Sequence, residues 1–193
     1  MKKTLCLNMI VKNESKIITR FLDSVIGLID SFCIVDTGSS DNTIEIIMKY
    51  FQGKSIEGKL GFINFINFEK TRNDAMKMAE GMSDYLLLMD ADMVLEHSIE
   101  KDKLEKDYYA IFQENNNVRY HNTRIVKNDG TFYYRGVTHE VILNKRKVSG
   151  AFLKDNVAKI IDFEDGGCKS NKLERDKQLL ITNLEDQETQ SRY

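Results

Sequence analysis

Along the first ninety residues the apolar positions change their period in a regular alternation. Thr4 to Val11 is almost continuously apolar and reads as a strand. From Glu14 to Ile29 the apolar residues Ile17, Ile18, Phe21, Leu22, Val25, Leu28 and Ile29 recur at helical spacing. Ser31 to Asp36 predicts a second short buried strand, and Thr37-Gly38-Ser39-Ser40-Asp41 is rich in turn formers. In the helix expected next, Asn42 stands three residues before Glu45, the spacing of a capping box. Gly53, Gly58 and Gly61 punctuate a connection to a third strand expected near Phe62 to Phe68. Ala75, Met78, Ala79 and Met82 then form the stripe of a third helix, and a fourth strand, Tyr85 to Met89, runs into Asp90-Ala91-Asp92. Strands alternating with helices in this way predict an open parallel α/β sheet.

Beyond Asp92 the pattern changes. Ile99 to Asp107 is charged and predicted helical, whereas Tyr108 to Phe112, Val118 to Val126 and Thr131 to Ile142 read as strands. Asn128-Asp129-Gly130 is a hairpin signal between the last two of these. Ser170 to Glu185 returns to helical spacing through Leu173, Leu180, Ile181 and Leu184. A single domain over 1–193 is expected. Residues 1–92 would form a nucleotide-binding half, 93–165 a largely antiparallel acceptor-side half, and 166–193 a C-terminal helical tail.

The chain of 193 residues is long enough for one well-filled core and too short for two. A net charge of −2, from 28 basic and 30 acidic side chains, argues against a dedicated nucleic-acid binder. No apolar stretch reaches the length of a membrane span, and the basic start Met1-Lys2-Lys3 lacks the cleavage site of a signal peptide. Cys6, Cys33 and Cys168 follow no metal-ligand spacing and read as reduced thiols, which points to a cytoplasmic protein.

In an open α/β sheet the ligand crevice lies beyond the carboxyl ends of the strands. Three polar groups fall there: Lys12-Asn13-Glu14, Asp36 to Asp41, and Asp90-Ala91-Asp92. Two carboxylates at i and i+2 repel unless a positive charge lies between them, and a hard divalent cation is one candidate. Asp36 ends a strand where such folds place an acid on a ribose hydroxyl, although a turn aspartate has the same sequence appearance. Gly38 suits a tight turn and lets backbone approach a nucleotide. Arg72 shares the inward stripe of the third helix with Ala75 and Ala79, so it requires an anionic partner: Asp36, Asp90 or a bound diphosphate. The bland alternative is an arginine that reaches out to solvent. His139 and Glu140 follow the aromatic strand Phe132 to Val137. Adjacent residues reach one site only where a strand ends or bulges; either is a candidate general base, and His139 a candidate metal ligand.

Taken together, four segments occur in a fixed order: Val11-Lys12-Asn13-Glu14, then Val35-Asp36-Thr37-Gly38-Ser39-Ser40-Asp41-Asn42-Thr43, then Thr71-Arg72-Asn73-Asp74-Ala75, then Asp90-Ala91-Asp92. This order closely resembles the family 2 glycosyltransferases of GT-A fold, in the subgroup that reads VKNE, VDTGSTD, ARN and DAD. Arg135-Gly136-Val137-Thr138-His139-Glu140 is similar to that subgroup's G.VHE segment, and Lys172-Leu173-Glu174-Arg175 to its K.ER helix start. The resemblance implies a Rossmann-like α/β sandwich, mainly parallel, with an antiparallel acceptor-side extension. It also implies transfer of a sugar from a nucleotide-diphosphate donor, with UDP expected, to an acceptor hydroxyl, usually with inversion and with Mn²⁺ or Mg²⁺. By matching position, Val11, Glu14, Asp36, Gly38, Arg72, Asp90 and Ala91 would surround the nucleotide and sugar. Asp92, with Asp90, would hold the metal, and Glu140 would deprotonate the acceptor, with His139 beside it.

Two departures stand out. Asp162 occupies the late-strand position where many members carry a metal-binding histidine, and Met93 replaces an acidic residue that often follows the second aspartate. Two other readings compete. In a haloacid-dehalogenase-like phosphatase Asp90 would be the nucleophile, Asp92 the acid and Glu164-Asp165 the late acidic pair, but that motif normally sits on the first strand. In a non-catalytic sugar-nucleotide or glycan-binding module, His139, Glu140 and Asp162 would be structural only.

Overall fold

A computed structural model describes residues 2–116, 118–167 and 172–190. The chain runs β1 (Leu5–Val11), α1 (Ile18–Val25), β2 (Ser31–Asp36), α2 (Thr43–Phe51), β3 (Glu57–Phe62), α3 (Phe68–Met78) and β4 (Tyr85–Leu88). It continues through β5 (Met93–His97), a 3-10 turn (Lys101–Lys103), β6 (Tyr108–Glu114), β7 (Arg119–Lys127), β8 (Phe132–Arg135), β9 (Val141–Asn144), β10 (Gly150–Phe152), β11 (Ala158–Asp162) and α4 (Lys172–Gln190). The main sheet has the order β3-β2-β1-β4-β7-β6-β11-β5, with β10 also paired to β6, and β8 and β9 form a separate ribbon.

Strands β1 to β4 pair in parallel, β7 joins β4 antiparallel, and the far side of the sheet mixes both senses. This is the GT-A arrangement expected from the sequence. Odd positions of β1 (Leu5, Leu7, Met9, Val11) join the core that includes Phe21, Leu22, Val25 and Ile47 from α1 and α2. Cys6, on the other face, packs with Cys33, Leu86, Leu88 and the α3 residues beneath them. Asn8 is buried on that same face, and its Nδ2 donates to the carbonyl of Ala75 at 2.9 Å, anchoring the last turn of α3. Cys6 and Cys33 are buried free thiols, and Cys168 lies outside the described residues. Among the described residues no helix is long and apolar enough to cross a membrane.

Several elements differ from expectation for identifiable reasons. The third strand is not Phe62 to Phe68 but the glycine-bearing segment Glu57–Phe62. A Cβ at Gly58 would come within 2.3 Å of the Phe32 ring, and one at Gly61 within 2.5 Å of Met78 Cε, so the glycines mark close packing and not a loop. The helix predicted over Glu14 to Ile29 contracts to Ile18–Val25, because hydrogen-bonded turns at both ends bury Ile17, Leu28 and Ile29 against the same core. The charged segment 99–107 holds only the 3-10 turn, preceded by the unforeseen strand β5. Asn128-Asp129-Gly130 does not close a hairpin: β7 pairs with β4 and β6, while β8 pairs with β9. The strand expected over Thr131 to Ile142 breaks at Gly136, whose φ is +116°. Asn42 makes no side-chain cap on α2; Asp41 Oδ1 accepts from the Thr43 backbone N–H at 3.0 Å instead. Ser170 and Asn171, at the start of the predicted C-terminal helix, lie outside the described residues.

Candidate active site

Strand order reverses at β1, whose neighbours are β2 on one side and β4 on the other. Such a switch point opens a crevice beyond the carboxyl ends of the two diverging strands. A cleft of about 600 Å³ lies there, and its walls include Val11, Glu14, Arg72, Asp90, Ala91, Asp92, His139, Glu140 and Asp162. Nine of the eleven sequence candidates therefore meet in one cavity. Asp36 and Gly38 do not contribute to its walls.

Asp36 instead shapes the turn below. It is 5% exposed, and its Oδ2 accepts from the backbone N–H groups of Gly38 and Ser39, both at 3.0 Å. Gly38 adopts φ +103°, a conformation open to glycine. This turn is stitched to the loop after β1: the Asn13 N–H donates to Ser39 Oγ and the Ser40 N–H to Asn13 Oδ1. The Glu14 N–H donates to Thr43 Oγ1 at 2.7 Å, which fixes Glu14 at the rim of the cleft. Burial pushes the Glu14 carboxyl up to about 7; the Gly167 N–H opposes this, and the Asp92, Asp41 and Asp90 carboxylates add to it.

Arg72 has its anionic partners within the protein. Its Nη2 donates to Asp90 Oδ1 at 2.6 Å, and its Nε lies 2.6 Å from Glu140 Oε1 in an ion pair that lacks hydrogen-bond alignment. The guanidinium also lies 5.4 Å from the Tyr134 ring centre and 5.9 Å from that of Phe68. Burial works against its charge, but Asp90, Tyr134 and Glu140 together raise its pKa further. Asp90 has a second cation, Arg124, whose Nη1 is 3.7 Å from its Oδ2. Burial disfavours the Asp90 carboxylate, and the two arginines outweigh this, so its pKa falls. The structure thus supplies Asp90 with arginine partners where the sequence pattern called for a shared cation.

Glu140 and His139 arrive on the segment linking β8 and β9, and His139 has the left-handed φ of +51°. Helix α3 holds this segment at several points. Asn73 Nδ2 donates to the Tyr134 carbonyl at 2.9 Å, while the Tyr134 N–H donates to Asn73 Oδ1 at 2.8 Å. The Gly136 N–H donates to Glu69 Oε2 at 2.6 Å, and the Phe68 N–H to the Val137 carbonyl at 3.1 Å. The strand ends where both residues need to reach the cleft.

Asp162 joins Asp90-Ala91-Asp92 through strand register. It lies opposite Met93 in the antiparallel β5–β11 pair, and the next step of the ladder is the Phe163 N–H donating to the Asp92 carbonyl at 3.0 Å. Among the described residues no three His, Cys, Asp or Glu side chains converge as a group that could hold a metal ion. A Mg²⁺ or Mn²⁺ ion commonly takes one or two carboxylates and completes its shell with water and substrate phosphates. Asp92 and Asp162 on the cleft wall, beside a Glu14 whose pKa is raised in part by Asp92, fit that open mode.

Sequence reading missed Arg124, Gln113 and the clamp made by Asn73. Gln113 follows the apolar run of β6, and that interruption was its available signal; Arg124 lies in the largely polar β7, where nothing local sets it apart from its polar neighbours. Asn73 was visible as part of the Arg72-Asn73 pair, but its bonds to β8 depend on a contact distant in the chain. Arg175 and Asp176 also border the cleft, with Arg175 4.9 Å from the Phe68 ring centre. The phosphatase reading requires Asp90 as a nucleophile, whereas both its oxygens face arginines.

Comparison with solved structures finds S. aureus TarS 1-349 in complex with UDP-GlcNAc at a TM-score of 0.55 and 18% identity, over 78% of this chain and 59% of that one. TarS 1-349 in complex with UDP aligns at 0.53 and 18%, over 78% and 61%. At this identity the likeness concerns the fold, and the chain spans about three-fifths of those TarS chains. Curated protein sequences yielded no match. The model of the family described as "Glycosyl transferase family 2" matches residues 6–179, and the chain belongs to that family.

Proposed function

We propose that this protein is a metal-dependent glycosyltransferase of the VKNE, VDTGSTD, ARN, DAD subgroup, which moves a sugar from a UDP-sugar to an acceptor hydroxyl with inversion. The observation that carries the reading is the convergence of Asp92, Asp162 and Glu140 on one cleft at the switch point of the sheet. The UDP and UDP-GlcNAc complexes of TarS, which has the same fold, support UDP as the nucleotide.

Asp92 and Asp162 are the residues that would hold Mn²⁺ or Mg²⁺. When bound, the cation supplies Lewis-acid stabilisation of the charge that builds on the departing diphosphate. Glu14, Val11 and Ala91 line the same space and would border the nucleotide. Glu140 is the proposed base: its carboxylate takes the proton of the acceptor hydroxyl as the hydroxyl oxygen attacks the sugar carbon and the bond from that carbon to the diphosphate breaks. Arg72 holds Glu140 and Asp90 in one frame, which fixes the distance between the base and the donor side. His139, adjacent with a left-handed φ and on the cleft wall, would contact the acceptor beside Glu140.

The test is a thermal-shift panel of UDP, GDP, dTDP and CDP, each with and without Mn²⁺. UDP is expected to stabilise most, with a further rise when Mn²⁺ is present. Asp92→Asn should lose that additional rise while its unliganded melting temperature stays close to wild type. Absence of stabilisation by any nucleoside diphosphate would overturn the reading.

A further inference from the structure

Gln113 on β6 and Arg124 on β7 are buried beneath the cleft, at 1% and 7% exposure. Buried polar side chains are costly unless their hydrogen-bonding groups are met. Here they meet one another. Arg124 Nε and Nη2 donate to Gln113 Oε1 at 3.2 and 2.7 Å, and Arg124 Nη1 donates to the Leu88 carbonyl at 3.2 Å. Two donors on one amide oxygen decide which end of the amide is which. The Nε2 end therefore turns outward, and it donates to Asp162 Oδ2 at 3.0 Å. The other Asp162 oxygen accepts from the Glu164 N–H at 3.0 Å. Arg124 thus reaches one acid directly, through its 3.7 Å approach to Asp90, and the other through an oriented amide.

We propose that Arg124 and Gln113 are positioning residues: Arg124 holds the Asp90 carboxylate directly and the Asp162 carboxylate through Gln113. Both acids then face the cleft in one fixed arrangement before donor and cation arrive. This inference rests on the function proposed above and adds two residues to it. Apolar side chains at 113 and 124 would fill the same sheet interior. What the polar pair adds is orientation, which a carboxylate on a strand end does not have by itself.

The test compares wild type with Gln113→Met, which keeps the side-chain length and removes both the donor to Asp162 and the acceptor for Arg124. Mn²⁺ binding in the presence of saturating UDP is read from the electron paramagnetic resonance signal of free Mn²⁺. UDP binding without metal is read by calorimetry, and folding by circular dichroism. The expected result is a loss of about 10- to 100-fold in Mn²⁺ affinity, with metal-free UDP affinity and the spectrum unchanged. Arg124→Lys, which keeps the charge but not the two-pronged grip on Gln113, should show the same selective loss. The two variants cut the relay at different links, and either one, once folded, suffices. A folded variant that binds Mn²⁺ as wild type does overturns the positioning role and leaves the proposed function standing. Wild-type protein that binds neither UDP nor Mn²⁺ overturns the proposed function, and this inference with it.

Discussion

The guanidinium of Arg72 and the carboxylate of Asp90 meet at 2.6 Å, joining the second turn of α3 to the acid that follows β4. The same guanidinium lies 2.6 Å from Glu140, so one buried cation bridges the acid that follows β4 and an acid on the β8–β9 segment. Arg72→Met leaves two carboxylates close together with that cation removed. Breaking a buried ion pair from one side costs about 3 kcal/mol, which urea denaturation should register at neutral pH. Adding Glu140→Gln to Arg72→Met should recover part of the loss, because Glu140 is then no longer a charge without its cation, whereas Asp90 keeps Arg124. A loss under half a kcal/mol would mean that solvent compensates both acids.

Glu14 sets a pH dependence of known sign. Its carboxyl titrates near 7 in the folded protein against an ordinary 4.5, raised first by burial and then by neighbouring acids. The folded state holds this proton more tightly than the unfolded chain does. The contribution to stability is therefore fully present below pH 4.5 and is lost as pH rises to about 7. Glu14→Gln removes the titration and keeps an acceptor for the Gly167 N–H, which wild type provides at 2.9 Å. In chelator-treated buffer the variant should show a flatter stability profile across that window, and should exceed wild type by roughly 2 kcal/mol at pH 8. Parallel profiles would place the titration elsewhere.

Asn73 substitutes for a strand neighbour. Its amide pairs with both the N–H and the carbonyl of Tyr134, as an adjacent β-strand would. Asn73→Ala should cost about 2 kcal/mol and accelerate hydrogen exchange at the Tyr134 amide more than at residues of β1. Equal acceleration throughout would indicate global destabilisation and no local clamp.

Glu140 is expected to matter for turnover and little for donor binding. Glu140→Gln should lower kcat by about 10²- to 10⁴-fold in a UDP-release assay, with UDP affinity within a few-fold of wild type. Retained turnover would assign the proton transfer to another group, with His139 the next to examine.

The parallel half of the sheet was legible because strands buried on both faces must be apolar along their whole length, and the helices between them bury one stripe. That is a local property of residues 4–89. The second half was less legible. Strand β5 carries Glu96 and His97 at an exposed end, and the separate β8–β9 ribbon has the same turn chemistry as a simple hairpin. The glycines of β3 misled for a related reason: a residue without a side chain looks the same whether it bends a loop or admits the Phe32 ring.

The sequence by itself determined the alternation of strands and helices through Met89, the acidic clusters at strand ends, and the inward position of Arg72 that demanded a negative partner. Spacing and residue type are sufficient for these, since each follows from period and charge over a few neighbours. Only the tertiary structure decided which acid that partner is, that Asp36 belongs to a turn, and that Asp162 stands beside Asp92. It also showed that Gln113 and Arg124 connect Asp90 to Asp162. Those relationships join residues far apart in the chain, and they depend on strand order, register and the direction of each side chain, none of which a local pattern encodes.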